Sequence, residues 1–467
     1  MNKAVHILFL IFCLLIVLLV GLNSIMIFVV TGFAFVNLMR KFSRTSVILD
    51  LVALYSCILY LIGPYLGYTY FPKSYPMAAI MRYYMPIPPE QYFSYALPGI
   101  ILFMIGLQIC RQRAESDYLN SILARVKNGL DVNRGYVLIA TGVVSYYLRA
   151  MSPGAFNYVF TILFLFVFAG VLALYYAKDR NIISNLIAGT ALLWILYMGI
   201  RSSMFTIVFY MGILILGIIF IGKNLSMLTK LTGFVTMAIL TISLQFVKSN
   251  YRMLIRKGVQ KEMNVGTFIR LYSQTVSNVA QVTSLGNIYP LYLRFNNGYN
   301  LALVMNRFPS KQYFDGGSTL GRSILASFVP RLFWPGKPEA GGIFNMKYYA
   351  GLKIDTYSTN VGPIGEAYGG FGKTGGAVFM FFFGLVLSLA HRIFIQLSIK
   401  RPLLLIFMPM LFYEIIFCME NDTMQAMNSL IKTSFLLFFC FKLFPGLLQE
   451  KQLPSMQAMG QTKHALS

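Results

Sequence analysis

Apolar residues run along this chain in blocks of about 17 to 22, the length at which a helix crosses the hydrocarbon core of a bilayer, and charged residues gather between the blocks. The blocks fall near 4–21, 23–39, 47–66, 93–110, 135–150, 157–177, 182–200, 203–221, 231–248, 369–390, 403–418 and 428–444. This pattern predicts an all-α polytopic membrane protein of about twelve transmembrane helices. The first block passes into the second with only Asn23 and Ser24 as an interruption, so the N-terminus reads as a two-helix hairpin rather than a cleavable signal peptide. Between the ninth and tenth blocks, residues 249–365 are too polar to lie in lipid and form one large extramembrane loop. Within it, 266–280 and 318–330 have the periodicity of short helices, while Phe333 to Gly342 and Gly362 to Gly376, punctuated by Pro and Gly, read as turns. The chain thus divides into a nine-span N-terminal bundle (1–248), the loop (249–366), a three-span C-terminal bundle (367–446) and a tail (447–467). A smaller loop, 67–92, is rich in Tyr and Pro, and no internal repeat is visible.

Composition agrees with lipid as the main solvent: 57% of residues are hydrophobic and 12% charged, against roughly a quarter charged in a soluble domain. A net charge of +24 would suit nucleic acid, but no soluble basic domain carries it, so no nucleic-acid partner is expected. Membrane lipid headgroups or a phosphate-bearing lipid substrate are the natural counter-charges. With a cytoplasmic N-terminus, sixteen Lys and Arg fall on the inner side, and the short outer loops hold four, Lys73, Arg82, Arg149 and Arg201. That asymmetry follows the positive-inside bias, puts the large loop outside and returns the tail to the cytoplasm. From Lys248 to Glu366 there are fourteen basic residues against five acidic ones, an excess that points to binding. The five cysteines (Cys13, Cys57, Cys110, Cys418, Cys440) lie in or beside apolar blocks and form neither a disulfide framework nor a metal-ligand spacing.

Cations that break the inside rule each cost about 2.5 to 3.5 kcal/mol at depth and less near the interface. Arg149 ends the fifth span, Arg201 occupies the turn of a tight hairpin, and Lys248, Arg252 and Arg256 follow the ninth span, all toward one interface. A guanidinium fork matches phosphate oxygens, which makes these residues a cationic socket for a diphosphate; phospholipid headgroup contact or snorkelling is the plainer alternative, strongest for Arg149. In the loop, Gly321 to Pro338 carries Arg322, Arg331 and Lys337, with Phe333 and Trp334 offering flat faces suited to sugar rings; pairing of the arginines with Glu339 or Asp355 is the alternative. Gly362 to Gly376 lacks the P-loop spacing but carries Glu366, an acid placed either for general-base work or for pairing with a loop arginine. His6, His391 and His464 all fall toward the cytoplasm, leaving no external histidine for a base or metal. Asp50 and Glu414 read as hydrogen-bonded interior residues, and Glu414, Glu420 and Asp422 as an acidic cluster able to hold a metal or balance the socket.

In these motifs the chain resembles the bacterial O-antigen polymerase and oligosaccharide repeat-unit polymerase families. The resemblance rests on Arg201 in an outer hairpin turn, on Arg331 followed by Trp334-Pro335 and Lys337-Pro338, on the Arg331 to Gly342 spacing, and on Glu366, Tyr368, Phe371 and Gly372 leading into the next span. It is specific over 320–376 and topological elsewhere. It implies a GT-C-like membrane glycosyltransferase of the inner membrane with its active site facing the periplasm. The implied substrates are undecaprenyl diphosphate-linked oligosaccharides, and a polysaccharide chain-length regulator is an implied protein partner. The implied catalytic set is Glu366, Arg331 and Arg201. Arg149, Arg252, Arg256, Arg322 and Lys337 join the two arginines on the diphosphate, Trp334 and Tyr368 face sugars, and no metal or other cofactor is required. A lipid-linked oligosaccharide flippase is the first alternative, set back by the absence of repeats; an O-antigen ligase is the second, set back by the absence of a periplasmic histidine.

Overall fold

A computed structural model describes residues 3–21, 23–112, 114–152, 154–202, 206–256, 265–277, 285–329, 333–354 and 358–448. Every regular element among them is helical. Among the described residues, nine helices are long and apolar enough to cross a membrane: Asn23–Lys41, Ile48–Tyr70, Pro89–Ile109, Asn157–Tyr176, Ile182–Arg201, Met227–Leu244, Gly362–Lys400, Pro402–Glu420 and Thr423–Leu443. Lys3–Leu19 and Ile207–Ile219 are shorter apolar helices, and Val132–Met151, which carries Arg134 and Arg149, is a further long one. The expected loop helices form as Val265–Ser277 and Ser318–Phe328. The protein is therefore a helical membrane protein. Its chain divides into two compact units, one of Met1–Asp117, Leu193–Phe394 and Leu411–Lys432, the other of Tyr118–Leu192, Ile395–Met410 and Thr433–Ser467.

In the first unit, two spans meet backbone to backbone. A Cβ on Gly106 would stand 2.2 Å from the Phe381 carbonyl oxygen, and one on Gly384 would stand 2.3 Å from that of Phe103. Van der Waals contact rather than hydrophobic expulsion holds helices together in lipid, and small residues permit it. The segment Gly362 to Gly376 corrects the sequence expectation, for it is helical and not a set of turns. The Gly362–Lys400 helix breaks only at Gly372, whose φ of 69° and ψ of −164° lie where a side chain is disfavoured. Its other glycines admit neighbours: a Cβ on Gly369 would meet the Tyr349 ring at 2.4 Å, and one on Gly376 the Tyr95 hydroxyl at 2.7 Å. Residues 361–370 are all buried. Beyond the kink, Val378, Phe382, Val386, Leu389, Ile393 and Leu397 are exposed at intervals of three or four residues, a stripe for lipid.

Residues of the small loop 67–92 fold through rings onto the Leu285–Phe295 and Gly298–Arg307 helices: Phe71 lies 4.6 Å from Tyr292 and 5.2 Å from Tyr289 on the first, and Tyr83 stacks at 3.9 Å on Tyr299 of the second. Among the first four spans a buried ionic knot forms. Asp50 accepts from Lys41 at 3.0 Å and from Arg111 at 2.6 Å, and Arg111 also reaches Glu115 at 3.2 Å and the Ser46 carbonyl at 2.9 Å. Asp50 is thus a hydrogen-bonded interior residue, as its place in an apolar block suggested. Paired charges of this kind fix register more than they add stability.

The second unit is again built on glycine contacts. A Cβ on Gly142 would lie 2.6 Å from the Val167 amide nitrogen, and one on Gly170 2.9 Å from the Gly135 carbonyl oxygen, so Val132–Met151 lies directly on Phe166–Tyr176. Asp131 caps the first of these helices by accepting from the Arg134 amide at 3.1 Å.

Candidate functional site

Six residues, Cys418 to Thr423, join the last two apolar helices, and the polar chemistry of the first unit converges on them. Cys418–Glu420 form a single tight turn, after which Asn421 runs extended and Asp422 caps Thr423–Leu443 by accepting from the Gln425 amide. The other Asp422 oxygen accepts from the Gly341 amide at 2.6 Å and from Asn360 Nδ2 at 3.0 Å. Glu366 serves the same helix start: Oε2 accepts from the Thr423 amide at 2.8 Å and from its hydroxyl, and Oε1 accepts from Asn345 Nδ2 at 3.0 Å. Negative charge at a helix N-terminus is favoured by the unpaired amides there. Asn345 also donates to Asn360 Oδ1 at 3.2 Å, Asn300 donates to Thr359 Oγ1 and the Asn360 carbonyl, and Asn297 reaches Tyr60 and the Met419 carbonyl. Glu366 is 2% exposed and Asp422 1%. Burial pushes the Asp422 carboxyl above its ordinary range, although the donors from Gln425, Gly341 and Asn360 work against it. The lattice fixes Gly341, Asn345, Asn360 and Glu366 at the junction.

Two residues before Asp422, Glu420 faces a different neighbour. Its Oε2 accepts from Arg294 Nη2 at 2.7 Å, its Oε1 is bonded by the Tyr55 hydroxyl, and Tyr210 donates to Tyr55 at 2.8 Å. Arg294, Tyr55 and Tyr210 are also walls of a pocket of about 210 Å³, otherwise lined by Thr241 and by apolar side chains including Leu54, Ile58, Phe209, Phe234 and Leu244. The lining is thus mostly hydrocarbon and aromatic, with one guanidinium, that of Arg294, 41% exposed and paired with Glu420. The expected acidic cluster of Glu414, Glu420 and Asp422 accordingly does not form a metal centre, because Glu420 is taken by Arg294 and Tyr55 and Asp422 by amide donors. Among the described residues no group of three His, Cys, Asp or Glu is gathered as a metal site.

The residues expected on the diphosphate are brought together only in part. Arg322 is exposed on Ser318–Phe328 with its guanidinium 5.6 Å from the Trp334 ring centre, within cation–π range. Lys337 is turned inward instead, its ammonium donating to the Ala326 carbonyl at 2.6 Å and that of Val329 at 3.0 Å; orphan carbonyls at a helix C-terminus draw a cation. Arg149 and Arg201 are exposed in the last turns of their helices and belong to different compact units. The backbone at Arg252 and Arg256 is helical, their side chains lie outside the described set, and Arg331 lies wholly outside it. Tyr368, expected as a sugar platform, is covered by Tyr95 at 4.8 Å and Phe314 at 5.8 Å, because it sits on the fully buried first stretch of its helix. Glu366 has Thr423 and Asn345 as partners rather than a loop arginine. Arg294 and the asparagine lattice were not singled out from sequence; the run Arg294-Phe-Asn-Asn-Gly298, polar inside an aromatic stretch, was the available signal.

No curated protein matches the chain, and no solved structure does. A family model does match, over residues 13–398, which takes in Asn345, Asn360, Glu366 and Arg294 but not the junction 418–423 that they meet. The chain belongs to the family described as domain of unknown function DUF8712.

Proposed function

We propose that the chain is a twelve-span, GT-C-like glycosyltransferase that polymerises lipid-linked oligosaccharide repeat units at the periplasmic face of the bacterial inner membrane. The growing glycan on undecaprenyl diphosphate is the donor, and the non-reducing sugar of a new lipid-linked unit is the acceptor. The acceptor hydroxyl oxygen attacks the anomeric carbon, and the bond from that carbon to the diphosphate oxygen breaks. The lipid diphosphate departs with the electron pair while the hydroxyl proton is released to solvent. Charge on the leaving group sets the barrier, and a fixed donor aimed at such charge contributes about 2.7 to 4 kcal/mol. Arg201 and Arg331, helped by Arg252 or Arg322, are the proposed donors. Glu366, with both oxygens engaged, is a positioning residue that holds the acceptor side of the site on Thr423.

The observation that carries this reading is the Arg322 guanidinium over Trp334, an exposed cation on the Ser318–Phe328 helix beside the ring face of a residue beyond it, as a phosphorylated sugar requires. In a strain whose own copy is deleted, Arg201→Ala and Arg331→Ala are expected to leave glycans one repeat unit long and to remove longer chains. Normal chain-length ladders from both variants refute the reading.

A further inference from the structure

We infer that the groove between Tyr55 and Leu244 holds a stretch of a single-chain polyisoprenyl phosphate, with Arg294 as its headgroup ligand and Glu420 as the internal carboxylate that the phosphate displaces. The inference rests on the polymerase reading for the class of lipid, and on the groove itself for the place. Leu54, Ile58, Phe209, Phe234 and Leu244 offer hydrocarbon and ring surface with nothing to hydrogen-bond. Such walls select an apolar chain. An engineered apolar cavity of about 150 Å³ holds one benzene ring, so about 210 Å³ takes a short stretch of one chain and not two side by side. The polar end is equally specific. Arg294 holds a carboxylate at 2.7 Å, the position and geometry in which a guanidinium also grips a phosphate oxygen. Phosphate carries more charge and more acceptor oxygens than Glu420, so it competes for the same fork. Tyr55 and Tyr210, linked at 2.8 Å, supply hydroxyls beside it.

The test uses the full chain in lipid nanodiscs, with undecaprenyl monophosphate as the probe and dioleoyl phosphatidic acid and inorganic phosphate as comparisons. The wild type is expected to bind the polyisoprenyl lipid at least tenfold more tightly than either comparison. Arg294→Gln should weaken that binding at least tenfold, Leu54→Trp, which fills the groove without touching the arginine, should do the same, and Glu420→Gln should tighten it severalfold. Thr241→Phe, from the opposite wall, replaces Leu54→Trp if the latter does not elute as a monodisperse species. Equal binding of phosphatidic acid identifies a general phospholipid site, and equal binding of inorganic phosphate identifies an anion site that ignores the chain; either overturns the inference. So does wild-type affinity in either Arg294→Gln or a folded groove-filling variant, or no binding by the wild type. If polyisoprenyl phosphate binds as expected while deletion of the gene leaves long glycans unchanged, the polymerase reading fails and the lipid site stands. If Arg201→Ala removes long chains while Arg294→Gln neither alters binding nor shortens them, the reverse holds.

Discussion

Replacing Glu366 by alanine removes three hydrogen bonds from a junction that water does not reach: Glu366 is 2% exposed, Thr423 1% and Asn345 6%. The Thr423 amide has no other partner at its helix start and is orphaned at a cost of about 2 kcal/mol, and the bonds to the Thr423 hydroxyl and to Asn345 are worth about 1 kcal/mol each. Those donors sum to about 4 kcal/mol. Part is offset because the variant no longer carries a carboxylate into the interior, so a net loss of about 2 to 3 kcal/mol is expected. Unfolding by denaturing detergent, followed by size exclusion, measures it. Thr423→Val isolates one bond, since it deletes the hydroxyl and keeps the amide. In the double-mutant cycle the two changes should couple by about 1 kcal/mol; additivity within about 0.5 kcal/mol refutes the anchoring role. Glu366→Gln is a stricter case. Its amide brings a donor against Asn345 Nδ2, and Asn345 cannot turn over without setting its oxygen against Asn360 Oδ1, which it now bonds at 3.2 Å.

Gly384→Ala puts a methyl 2.3 Å from the Phe103 carbonyl and should destabilise by about 1 to 3 kcal/mol through forced helix separation, while Gly384→Ala with Gly106→Ala should cost less than the two single changes added, because one separation relieves both; a stability scan of the three variants checks this. Gly372→Ala places a side chain at φ 69° and should cost about 1 to 2 kcal/mol in the same scan, whereas Gly189→Ala, which meets no atom within 4 Å, should cost nothing measurable. Burial raises the Asp315 carboxyl, but donors from Thr319, Gly317 and Tyr348 outweigh it and leave the group below its ordinary value. Its contribution is therefore present above the unfolded pKa of about 3.9 and lost as pH falls through the lower folded value; the stability gap between wild type and Asp315→Ala should be open at pH 7 and narrow as the pH is lowered below the unfolded pKa, and an unchanged gap contradicts the assignment.

Many of the spans were legible because lipid imposes a length and a composition on any helix that crosses it: among the described residues, nine of the twelve apolar blocks hold a helix long and apolar enough to cross. Gly362 to Gly376 misled for a physical reason. Glycine and proline usually mark turns because they free or fix the backbone, but here Gly369 and Gly376 make room for Tyr349 and Tyr95, an effect that depends on residues far away in sequence. Arg322 and Trp334 were legible as a pair, being twelve residues apart on one loop. The lattice was not: Asn360 meets Asp422 across 62 positions and Arg294 meets Glu420 across 126, and no local pattern announces such partners. Lys337 reads as a ligand from its charge and from the Lys337-Pro338 pair of the resemblance, and only the carbonyls of Ala326 and Val329 reveal it as the stop of a helix.

The break at Gly372 has a mechanical meaning in a bilayer. Residues 373–400 at 1.5 Å per residue measure about 42 Å, well beyond a hydrocarbon thickness of about 30 Å, so this span must lean or protrude, and must lean differently as the membrane thickens or thins. A straight rod would carry every change of slope into the carboxylate bonded to Thr423. A swivel at a residue without a side chain lets the lipid-embedded length adjust its tilt while the ten residues before it keep their seat.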